Sequence, residues 1–304
     1  MMKESLVSVI IPTYSRPTHL IRAIESVLCQ TYHPIEIIVV DDNGVGTDYQ
    51  KESEKLLSPY IISKQITYIK HEINKNGSAA RNTGFKHCHG KYVIFFDDDD
   101  EMLPDKIQKQ VFVLQSSSSN VCASYTGLYI YKRGKLITEK HARRDGNMKL
   151  ELLSGMWGFG SGSNLLFKYE AVKKVGGYDE SFKRHQDWEF VVRFFRYYEV
   201  AAIDEPLLIK HNDGVSHKFT PQERLIFMES FLYKFQPDIE SYPTRIQKTI
   251  YHRRYFDVAI IAATASEYRF MIKVLKKVSS YGGLTLKECL RLCKHLFFKP
   301  LKRS

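Results

Sequence analysis

Short apolar runs and helix-patterned segments alternate through the first hundred residues of the chain. Runs rich in β-branched and aromatic residues predict four strands, at residues 7–11, 35–40, 65–70 and 92–96. The segments between them predict three helices, at residues 17–30, 48–57 and 77–87. Strands that alternate with helices indicate βαβ units, so we expect an α/β fold with a Rossmann-like, mainly parallel sheet flanked by helices.

The alternation becomes less regular after residue 100. The pattern predicts helices at residues 105–115 and 188–198, and strands at residues 121–131, 135–138, 164–167 and 201–210. From residue 221 onward the sequence is helical in pattern and basic. We therefore expect a domain at residues 1–220, with halves 1–100 and 101–220, followed by a helical, basic C-terminal extension at residues 221–304.

Composition narrows the class of protein and of partner. Hydrophobic residues make up 43% of the 304 residues, which is enough for a substantial core, and the formal net charge is +11. Such a charge favours a polyanionic partner, which is a nucleic acid, an anionic membrane surface or a phosphorylated ligand. The five cysteines form no CxxC pair, and we find neither a secretory signal nor a membrane-spanning run. These features predict a reduced, cytoplasmic protein.

Two acidic clusters follow predicted strands. Asp41 and Asp42 end the second strand, and Asp97, Asp98, Asp99 and Asp100 follow the fourth. In an open parallel α/β sheet, ligands bind outside the carboxyl ends of the strands. Clustered carboxylates select hard cations such as Mg²⁺ or Mn²⁺, which keep open positions for phosphate oxygens.

The four-aspartate run also has a purely structural interpretation. Asp100 and Glu101 could open a helix that has Pro104 in its first turn, which would account for one or two of the acids. If the chain stays extended, Asp97 and Asp99 face one side and Asp98 and Asp100 the other. We favour a divalent-metal site.

The usual nucleotide-binding loops are absent from the sequence. IIPTYSRP stands where a dinucleotide fold needs GxGxxG, and GxxxxGK[ST] does not occur. Three other residues could hold a nucleotide at the same sheet edge. Tyr14 could stack on a base, Asp41 or Asp42 could accept its N–H, and Arg81 could reach a phosphate. Alternatively, Tyr14 packs in the fold and Arg81 is a surface helix residue.

Three segments carry a resemblance to a known family. They are SVIIPTYSRPTHLIRAIESVLCQTYHPIEIIVVDDN, NKNGSAARNTGFKHCHGKYVIFFDDDDEMLP and GGYDESFKRHQDWEFVVRF. Over about residues 5–215 the chain resembles the family 2 glycosyltransferases of GT-A fold. The resemblance implies a nucleotide-sugar-binding half, an acceptor-binding half and a divalent cation, Mn²⁺ or Mg²⁺.

The same resemblance implies roles for individual residues. Those that would surround the nucleotide are Pro12, Thr13, Tyr14, Asp41 or Asp42, Arg81, Asp97 and Asp98. Asp97-Asp98-Asp99 falls on the family's DXD motif, in which Asp97 would approach the ribose or sugar, and Asp99, together with Asp97, would hold the metal.

Asp187 matches the family's catalytic base. The family often has Glu-Asp at this point, whereas this chain has Gln186 before Asp187. Asp187 could alternatively be only the N-cap of the following helix. As a base it would deprotonate an acceptor hydroxyl in a single inverting displacement.

Further residues are assigned to the acceptor side by position alone. MWGFGSGSN and the segment 176–179 are expected to shape the acceptor site, and Trp157 could stack on a sugar or pack in the core. His211 and His217 lie in a loop that could close over the diphosphate, although surface-loop histidines are usually inert.

The C-terminal segment has the pattern of a basic amphipathic helix. Its apolar positions are Leu286, Cys289, Leu290, Cys293, Leu296 and Phe297, and Lys287, Arg291 and Lys294 lie away from them. Such a helix could lie on an anionic membrane or pack on the rest of the chain with a solvated basic face.

Three functions compete at this point. The first is a metal-dependent inverting glycosyltransferase that uses a nucleotide sugar, with a UDP-sugar favoured, to extend a glycan or lipid-linked glycan in cell-surface polysaccharide synthesis. It would be cytoplasmic or peripheral on the cytoplasmic face of a membrane. The second is a catalytically silent nucleotide-sugar-binding or assembly partner. A nucleic-acid-binding protein ranks last because no RNP-like motif or zinc finger occurs, so we expect no nucleic-acid partner.

Overall fold

The four strands predicted in the first hundred residues form one half of a single sheet. The computed structural model describes residues 4–212 and 219–297. Nine strands are present in these residues: β1 (Val7–Thr13), β2 (Ile35–Asp41), β3 (Thr67–Lys70), β4 (Tyr92–Phe95), β5 (Asp100–Met102), β6 (Val121–Lys132), β7 (Lys135–Lys140), β8 (Leu166–Lys168) and β9 (Glu199–His211). Each of the four N-terminal strands lies within two residues of its predicted limits.

Twelve α-helices complete the described chain. They are α1 (Pro17–Leu28), α2 (Asp48–Ile62), α3 (Gly77–Lys86), α4 (Lys106–Ser116), α5 (Lys149–Leu153), α6 (Tyr169–Val175), α7 (Gln186–Phe194), α8 (Pro221–Lys234), α9 (Gln236–Glu240), α10 (Thr244–Thr264), α11 (Tyr268–Ser279) and α12 (Leu286–Phe297). None of them combines the length and the apolar character that a bilayer crossing requires.

The sheet has the order β3-β2-β1-β4-β8-β6-β9-β5, with β7 paired to β6. The four strands from β3 to β4 are parallel, as the βαβ pattern predicts. Beyond β4 the sheet is mixed, because β8 is antiparallel to β4 and to β6, while β6 is parallel to β9. The α/β class is confirmed, and the mixed part lies in the half after residue 100.

Apolar burial explains the parallel half. β1 is a nearly continuous apolar strand, and α1 begins at Pro17, whose fixed φ suits a first helical turn. The buried side of α1 carries Leu20, Ala23, Ile24 and Val27 at helical spacing. This packing fixes the carboxyl ends of β1, β2 and β4 side by side.

The chain divides into two compact units. The first contains residues 4–149 and 159–212 of the described chain, and the second contains Leu150–Gly158 and the described residues from 219 onward. The domain limits expected from the sequence place residues 150–158 in the first domain, whereas the structure places them in the second unit. Within the second unit, the buried guanidinium of Arg254 donates from Nε to Leu153 O at 2.7 Å and also to Leu152 O. These two bonds tie α5 to α10.

Two elements differ from what the sequence suggested. The acids at residues 100–101 do not open a helix: Asp100–Met102 is strand β5, antiparallel to β9, and α4 begins only at Lys106. A strand of three residues with two acids has no periodicity to detect. The helix predicted at residues 188–198 is α7, which begins two residues earlier and ends four residues earlier.

Lys106, the first residue of helix α4, has a buried amine whose titration provides a test of the fold. Lys106 is 0% exposed, and its Nζ donates to Gln110 Oε1 at 2.7 Å. Burial lowers the pKa of Lys106 from 10.5 to about 7, with Asp100 opposing the shift. The unfolded chain therefore binds one more proton than the folded chain between these values, and Lys106 makes stability rise with pH there.

Lys106→Met removes this dependence. Urea unfolding at about pH 7.5 and about pH 9.5 should show wild type gaining on the variant by up to about 1.4 kcal/mol per pH unit. Comparing the two proteins at each pH cancels the titration of cysteines and tyrosines, which both contain. A stability difference that is constant over this range would contradict a depressed pKa for Lys106.

Candidate active site

A cavity of about 280 Å³ opens at the carboxyl ends of β1, β2 and β4. Its lining residues come from the ends of these strands, the loop before α3 and α3 itself: Pro12, Thr13, Tyr14, Arg16, Asp42, Asn74, Asn76, Gly77, Ala80, Arg81, Asp97 and Asp98. Tyr14 is 52% exposed, which leaves its ring free to meet a ligand and excludes a core position. Seven of the eight residues that the sequence suggested for nucleotide binding lie here, and we call this the donor cavity.

The exception among the suggested residues is Asp41, which is turned into the fold. Its Oδ2 accepts from Tyr68 at 2.6 Å, and its Oδ1 accepts from the side chain of Asn43 at 2.8 Å. Asp42 lines the cavity instead. Of the two alternatives that the sequence left open, only Asp42 is placed to meet a ligand.

Asp42 also holds the floor of the donor cavity together. Its Oδ1 accepts from His71 Nδ1 at 2.7 Å and from the backbone N–H of Lys75 at 2.8 Å. Its Oδ2 accepts from Asn74 Nδ2 and the backbone N–H of Asn76, both at 2.9 Å. Asn76 then caps α3 by accepting from two first-turn amides. The buried carboxylate therefore fixes the loop that leads into α3.

The four-aspartate run is a turn and does not stay extended. Asp100 donates its backbone N–H to Asp97 O at 3.2 Å, so the chain reverses across Asp98 and Asp99. The strict alternation expected for an extended chain is therefore wrong. The turn places ligand oxygens of Asp97, Asp99 and Asp100 all within 4.8 Å of one another.

Cations from distant parts of the sequence surround this turn. Arg16 pairs with Asp99 and lies 3.3 Å from Asp98 Oδ1. Arg81 NH2 donates to Asp97 Oδ1 at 2.6 Å. Lys210 Nζ lies 4.0 Å from Asp100 Oδ1, and these two residues are paired in the β5–β9 register. The basic residues offset the repulsion among the acids, and sequence reasoning identified neither Arg16 nor Lys210.

Serine hydroxyls from the glycine-rich stretch complete the support of the turn. Ser161 Oγ donates to Asp100 Oδ2 at 2.7 Å, and Ser163 Oγ accepts from the backbone N–H of Asp97 at 2.9 Å. Both residues are buried. Ser161 and Ser163 of the MWGFGSGSN stretch thus hold the aspartates in place, and the expected role of this stretch at an acceptor site stays a prediction.

The carboxyl groups differ in their tendency to ionise. Burial raises the pKa of Asp98 to about 7 and that of Asp100 to about 6, and Arg16 and Lys210 respectively oppose these shifts. Burial would also raise the pKa of Asp97, but the charges of Arg81 and Lys210 hold it below its usual value. Of Asp97, Asp98 and Asp100, Asp97 therefore keeps its negative charge most readily at neutral pH.

The Asp97, Asp99 and Asp100 group fits a divalent cation. It offers an all-oxygen donor set, as Mg²⁺ and Mn²⁺ require. Asp97 and Asp99 are partly exposed, and Asp100 Oδ1 is buried without a hydrogen-bond partner among the described atoms. The sequence pointed to Asp97 and Asp99 for such a site and missed Asp100, which the turn brings back beside Asp97.

A second cavity, of about 340 Å³, contains Asp187. It is lined by Arg81, Asp97, Gly162, Lys183, Arg184, His185, Gln186, Asp187, Trp188 and Lys210. We call it the acceptor-side cavity. Arg81 and Asp97 line both cavities, so the two spaces adjoin at this ion pair.

Asp187 lies in the first turn of α7 and does not cap it. The cap position is His185, in a left-handed conformation with φ of 55°, and its ring stacks on Trp188 at 4.8 Å. Within the described part of the chain, Asp187 Oδ1 accepts one hydrogen bond, the local one from the backbone N–H of Trp188 at 2.9 Å. The N-cap alternative is therefore wrong. A non-glycine residue at positive φ beside this carboxyl group is the kind of local strain that functional sites retain.

Charge and burial tune the carboxyl group of Asp187. Burial and then the negative charge of Asp97 raise its pKa, and Arg81 opposes the rise. A carboxylate with a raised pKa accepts a proton more readily, which suits a general base.

Arg81 connects the two cavities physically. Its NH1 donates to Gln186 Oε1 at 3.1 Å, its NH2 binds Asp97, and its guanidinium lies 5.3 Å from the Tyr178 ring centroid. Asn82, the next residue of α3, exchanges two 2.8 Å hydrogen bonds with the backbone of Tyr178. Gln186 thus supplies an acceptor to Arg81 although the family's usual acid is missing.

The remaining candidates have other surroundings. His211 Nε2 lies 2.9 Å from Glu101 Oε2 on neighbouring strands, and its suggested role over the diphosphate stays a prediction. His217 lies outside the described residues. Trp157 is half-buried and belongs to the second unit, so its contact with a sugar also stays a prediction.

Comparisons with curated proteins point to one class of enzyme. The chain is 29% identical over 226 residues to the amylovoran biosynthesis glycosyltransferase AmsB of Erwinia amylovora, covering 71% of this chain and 74% of that protein. It is 32% identical over 242 residues to an uncharacterized glycosyltransferase of Rickettsia bellii, covering 75% of this chain. The chain spans 34% of the length of that Rickettsia protein.

Solved structures share the fold at low identity. S. aureus TarS 1–349 in complex with UDP-GlcNAc gives a TM-score of 0.58 at 14% identity, covering 90% of this chain and 88% of that one. The mannosyltransferase PcManGT of Pyrobaculum calidifontis, in complex with GDP-Man and Mn²⁺, gives 0.55 at 16% identity, covering 98% and 89%. At these identities the likeness concerns the GT-A fold alone.

The family assignment rests on a family profile that matches more than half of the chain. The profile of glycosyl transferase family 2 matches residues 8–176, which include β1, the aspartate turn and the serines that hold it. Together with the fold and the relatives, this match shows that the chain belongs to glycosyltransferase family 2.

Proposed function

We propose that the chain transfers a sugar, with inversion, from a nucleoside diphosphate donor to a hydroxyl group of a glycan or lipid-linked glycan acceptor. The observation that carries the proposal is the adjoining of two cavities at Arg81 and Asp97. One has the aspartate turn at its edge, and the other holds Asp187. A donor and an acceptor bound in them would meet at this boundary.

On the donor side, Tyr14 stacks on the base, Asp42 accepts from it, and Pro12 and Thr13 shape the nucleoside site. Arg81 and Arg16 provide positive charge toward the diphosphate. We propose UDP as the nucleotide. TarS was solved with UDP-GlcNAc and PcManGT with GDP-Man, so the base is a matter for the experiment below.

The transfer uses Asp187 as general base. Its carboxylate takes the proton of the acceptor hydroxyl while that oxygen forms a bond to the anomeric carbon. The bond from this carbon to the diphosphate oxygen breaks, and the electron pair leaves with the nucleoside diphosphate. Because there is one displacement, the anomeric configuration inverts, and Lys210 and Arg81 stabilise the charge on the leaving side.

We assign the divalent cation, Mn²⁺ or Mg²⁺, to Asp97 and Asp99, with Asp100 as a third oxygen ligand. When bound, the cation acts as a Lewis acid toward the departing diphosphate. Asp98, bonded to Thr13 Oγ1 at 2.8 Å, keeps the turn against β1.

The relatives suggest the process that the chain serves. AmsB is named for amylovoran biosynthesis, and we propose a role in the synthesis of a cell-surface polysaccharide. The cytoplasmic location expected from the sequence remains part of this proposal.

A catalytically silent nucleotide-sugar-binding protein is the second candidate. It would bind a nucleotide but would not need a base in the acceptor-side cavity. The presence of Asp187, with its raised pKa and its place beside Asp97, favours the enzyme.

Melting temperatures with UDP, GDP, dTDP or CMP, each with and without Mn²⁺, test the donor proposal. A ligand that binds the folded state raises the melting temperature by mass action. We expect UDP with Mn²⁺ to give the largest rise, and Mn²⁺ alone serves as the control. A larger rise with GDP would reassign the base, and the absence of any rise would contradict a nucleotide site at this edge.

A further inference from the structure

The last helix of the second unit exposes its apolar side. On α12, Leu286 and Leu290 are 78% and 64% exposed, and Cys289 and Cys293 are also exposed. The spacing of these four residues places them on one face of the helix. Of the six apolar positions that the sequence identified on this helix, these four therefore do not pack on the protein, whereas Leu296 is half-buried.

The other face of α12 is the one that contacts the unit. Glu288 accepts from His252 Nε2 at 3.1 Å, and Arg291 lies 3.2 Å from Asp257 Oδ1. These contacts hold the helix on α10 by polar groups. The stripe of Leu286, Cys289, Leu290 and Cys293 is thus presented outward by a helix that is fixed in place.

A basic pocket of about 600 Å³ lies beside the beginning of the same helix. Arg245, Lys248 and Arg253 line it from α10, while Thr285 and Glu288 line it from the start of α12. All three residues line this one pocket, although positions 248 and 253 lie on different sides of α10. The pocket and the apolar stripe therefore adjoin at residues 285–286.

The positive charge of the pocket exceeds the negative charge of the described residues that line it. Glu288 is its only acidic lining residue among the described residues, and it already binds Thr285 and His252. Burial alone would raise the pKa of Glu288, but its hydrogen bonds with Thr285 and His252 lower it. Glu288 therefore contributes one negative charge to the pocket, and these hydrogen bonds already engage it. The buried Nε of Arg253 has no hydrogen-bond partner in the described structure. Arg245, Lys248 and Arg253 carry three positive charges against the one negative charge of Glu288, so the pocket can accept an anionic group.

We propose that the second unit docks on an anionic phospholipid surface. The headgroup phosphates enter the pocket of Arg245, Lys248 and Arg253, and Leu286 and Leu290 enter the acyl boundary. An apolar stripe next to unpaired basic side chains is complementary to an anionic bilayer, whose interior is apolar and whose headgroups are negatively charged. A second copy of this face would instead bring like charges together. The inference is independent of the donor and acceptor proposed above.

Vesicle co-sedimentation of the full chain tests the docking. With vesicles of phosphatidylcholine and phosphatidylglycerol we expect binding that falls as salt is added, and with phosphatidylcholine alone at least tenfold less. Leu286→Gln with Leu290→Gln should weaken binding at least tenfold, and so should the triple change of Arg245, Lys248 and Arg253 to Gln. Four of these five side chains are exposed and Arg253 is half-buried, so circular dichroism checks that the variants remain folded.

Matched controls are available in the first unit. Ile62 and Phe112 are 80% and 68% exposed, and their replacement by Gln removes similar apolar surface. Changing the exposed residues Lys51, Lys55 and Lys64 to Gln removes the same charge as the pocket variant. Neither control should change vesicle binding by more than about twofold.

Three results would overturn the proposal. The first is equal binding to the two kinds of vesicle, or equal effects of the controls and the test variants. The second is stabilisation of the wild-type chain by inorganic phosphate without vesicle binding, which would indicate a soluble anionic ligand. The third is a concentration-dependent dimer in sedimentation velocity that Leu286→Gln abolishes, because the stripe would then join two copies of the chain.

Discussion

Replacing Asp187 with asparagine is expected to lower kcat by about 10²- to 10⁴-fold, the usual contribution of a general base. The amide keeps the size of the side chain and can still accept the bond from Trp188, so α7 should begin as before. It cannot take a proton from the acceptor hydroxyl. Because Asp187 does not line the donor cavity, the melting-temperature rise with nucleotide and Mn²⁺ should remain.

Steady-state kinetics with the nucleotide sugar identified by the binding panel measures this effect. Asp48→Asn, an exposed acid in the first turn of α2, serves as the control and should keep wild-type kcat. A variant at Asp187 that loses nucleotide binding together with activity would show that the residue shapes the site. Unchanged kcat would remove Asp187 from the mechanism and favour the silent binding protein.

Asp97→Asn should have the second-largest effect. The substitution removes one charge from the Asp97, Asp99 and Asp100 group and weakens the ion pair with Arg81. We expect the Mn²⁺-dependent part of the nucleotide-induced melting shift to disappear. Transfer should fall by about 100-fold or more, the scale for losing one preorganised electrostatic group.

Titration of the melting temperature with Mn²⁺, at fixed nucleotide, distinguishes metal binding from general damage to the site. Asp105→Asn is the matched control, because Asp105 lies outside the turn and its bond from Thr31 needs only an acceptor oxygen. An undiminished Mn²⁺ response in Asp97→Asn would contradict the metal assignment, even if transfer were lost.

The sequence predicted the parallel half of the fold well because each of its strands is a distinct apolar run. The apolar runs VSVII and IEIIVV are stable only when buried, and the helix between them, α1, has a clear apolar face. The half after residue 100 was harder to predict. Strand β5 has three residues and helix α5 has five, and segments this short show no hydrophobic period.

The candidate residues around the site could be named from the sequence, but their partners could not. Arg16 reaches the aspartates from the loop between β1 and α1, and Lys210 reaches them from β9, and nothing local to either residue indicates that contact. The choice between Asp41 and Asp42 depends on Tyr68, a residue of the neighbouring strand. Asp100 was not named as a metal ligand, because a turn between acids leaves no apolar signal that would bring it back beside Asp97.

The adjoining of the two cavities also restricts how this chain can change over evolutionary time. Arg81 and Asp97 form a wall that donor and acceptor would share, so a substitution there alters both halves of the reaction at once. A lineage that adopts a new sugar without abandoning its acceptor is therefore expected to vary the remote walls first, around Tyr14 or Asn74. Divergence at the shared wall should instead accompany loss of transfer or a simultaneous exchange of both substrates.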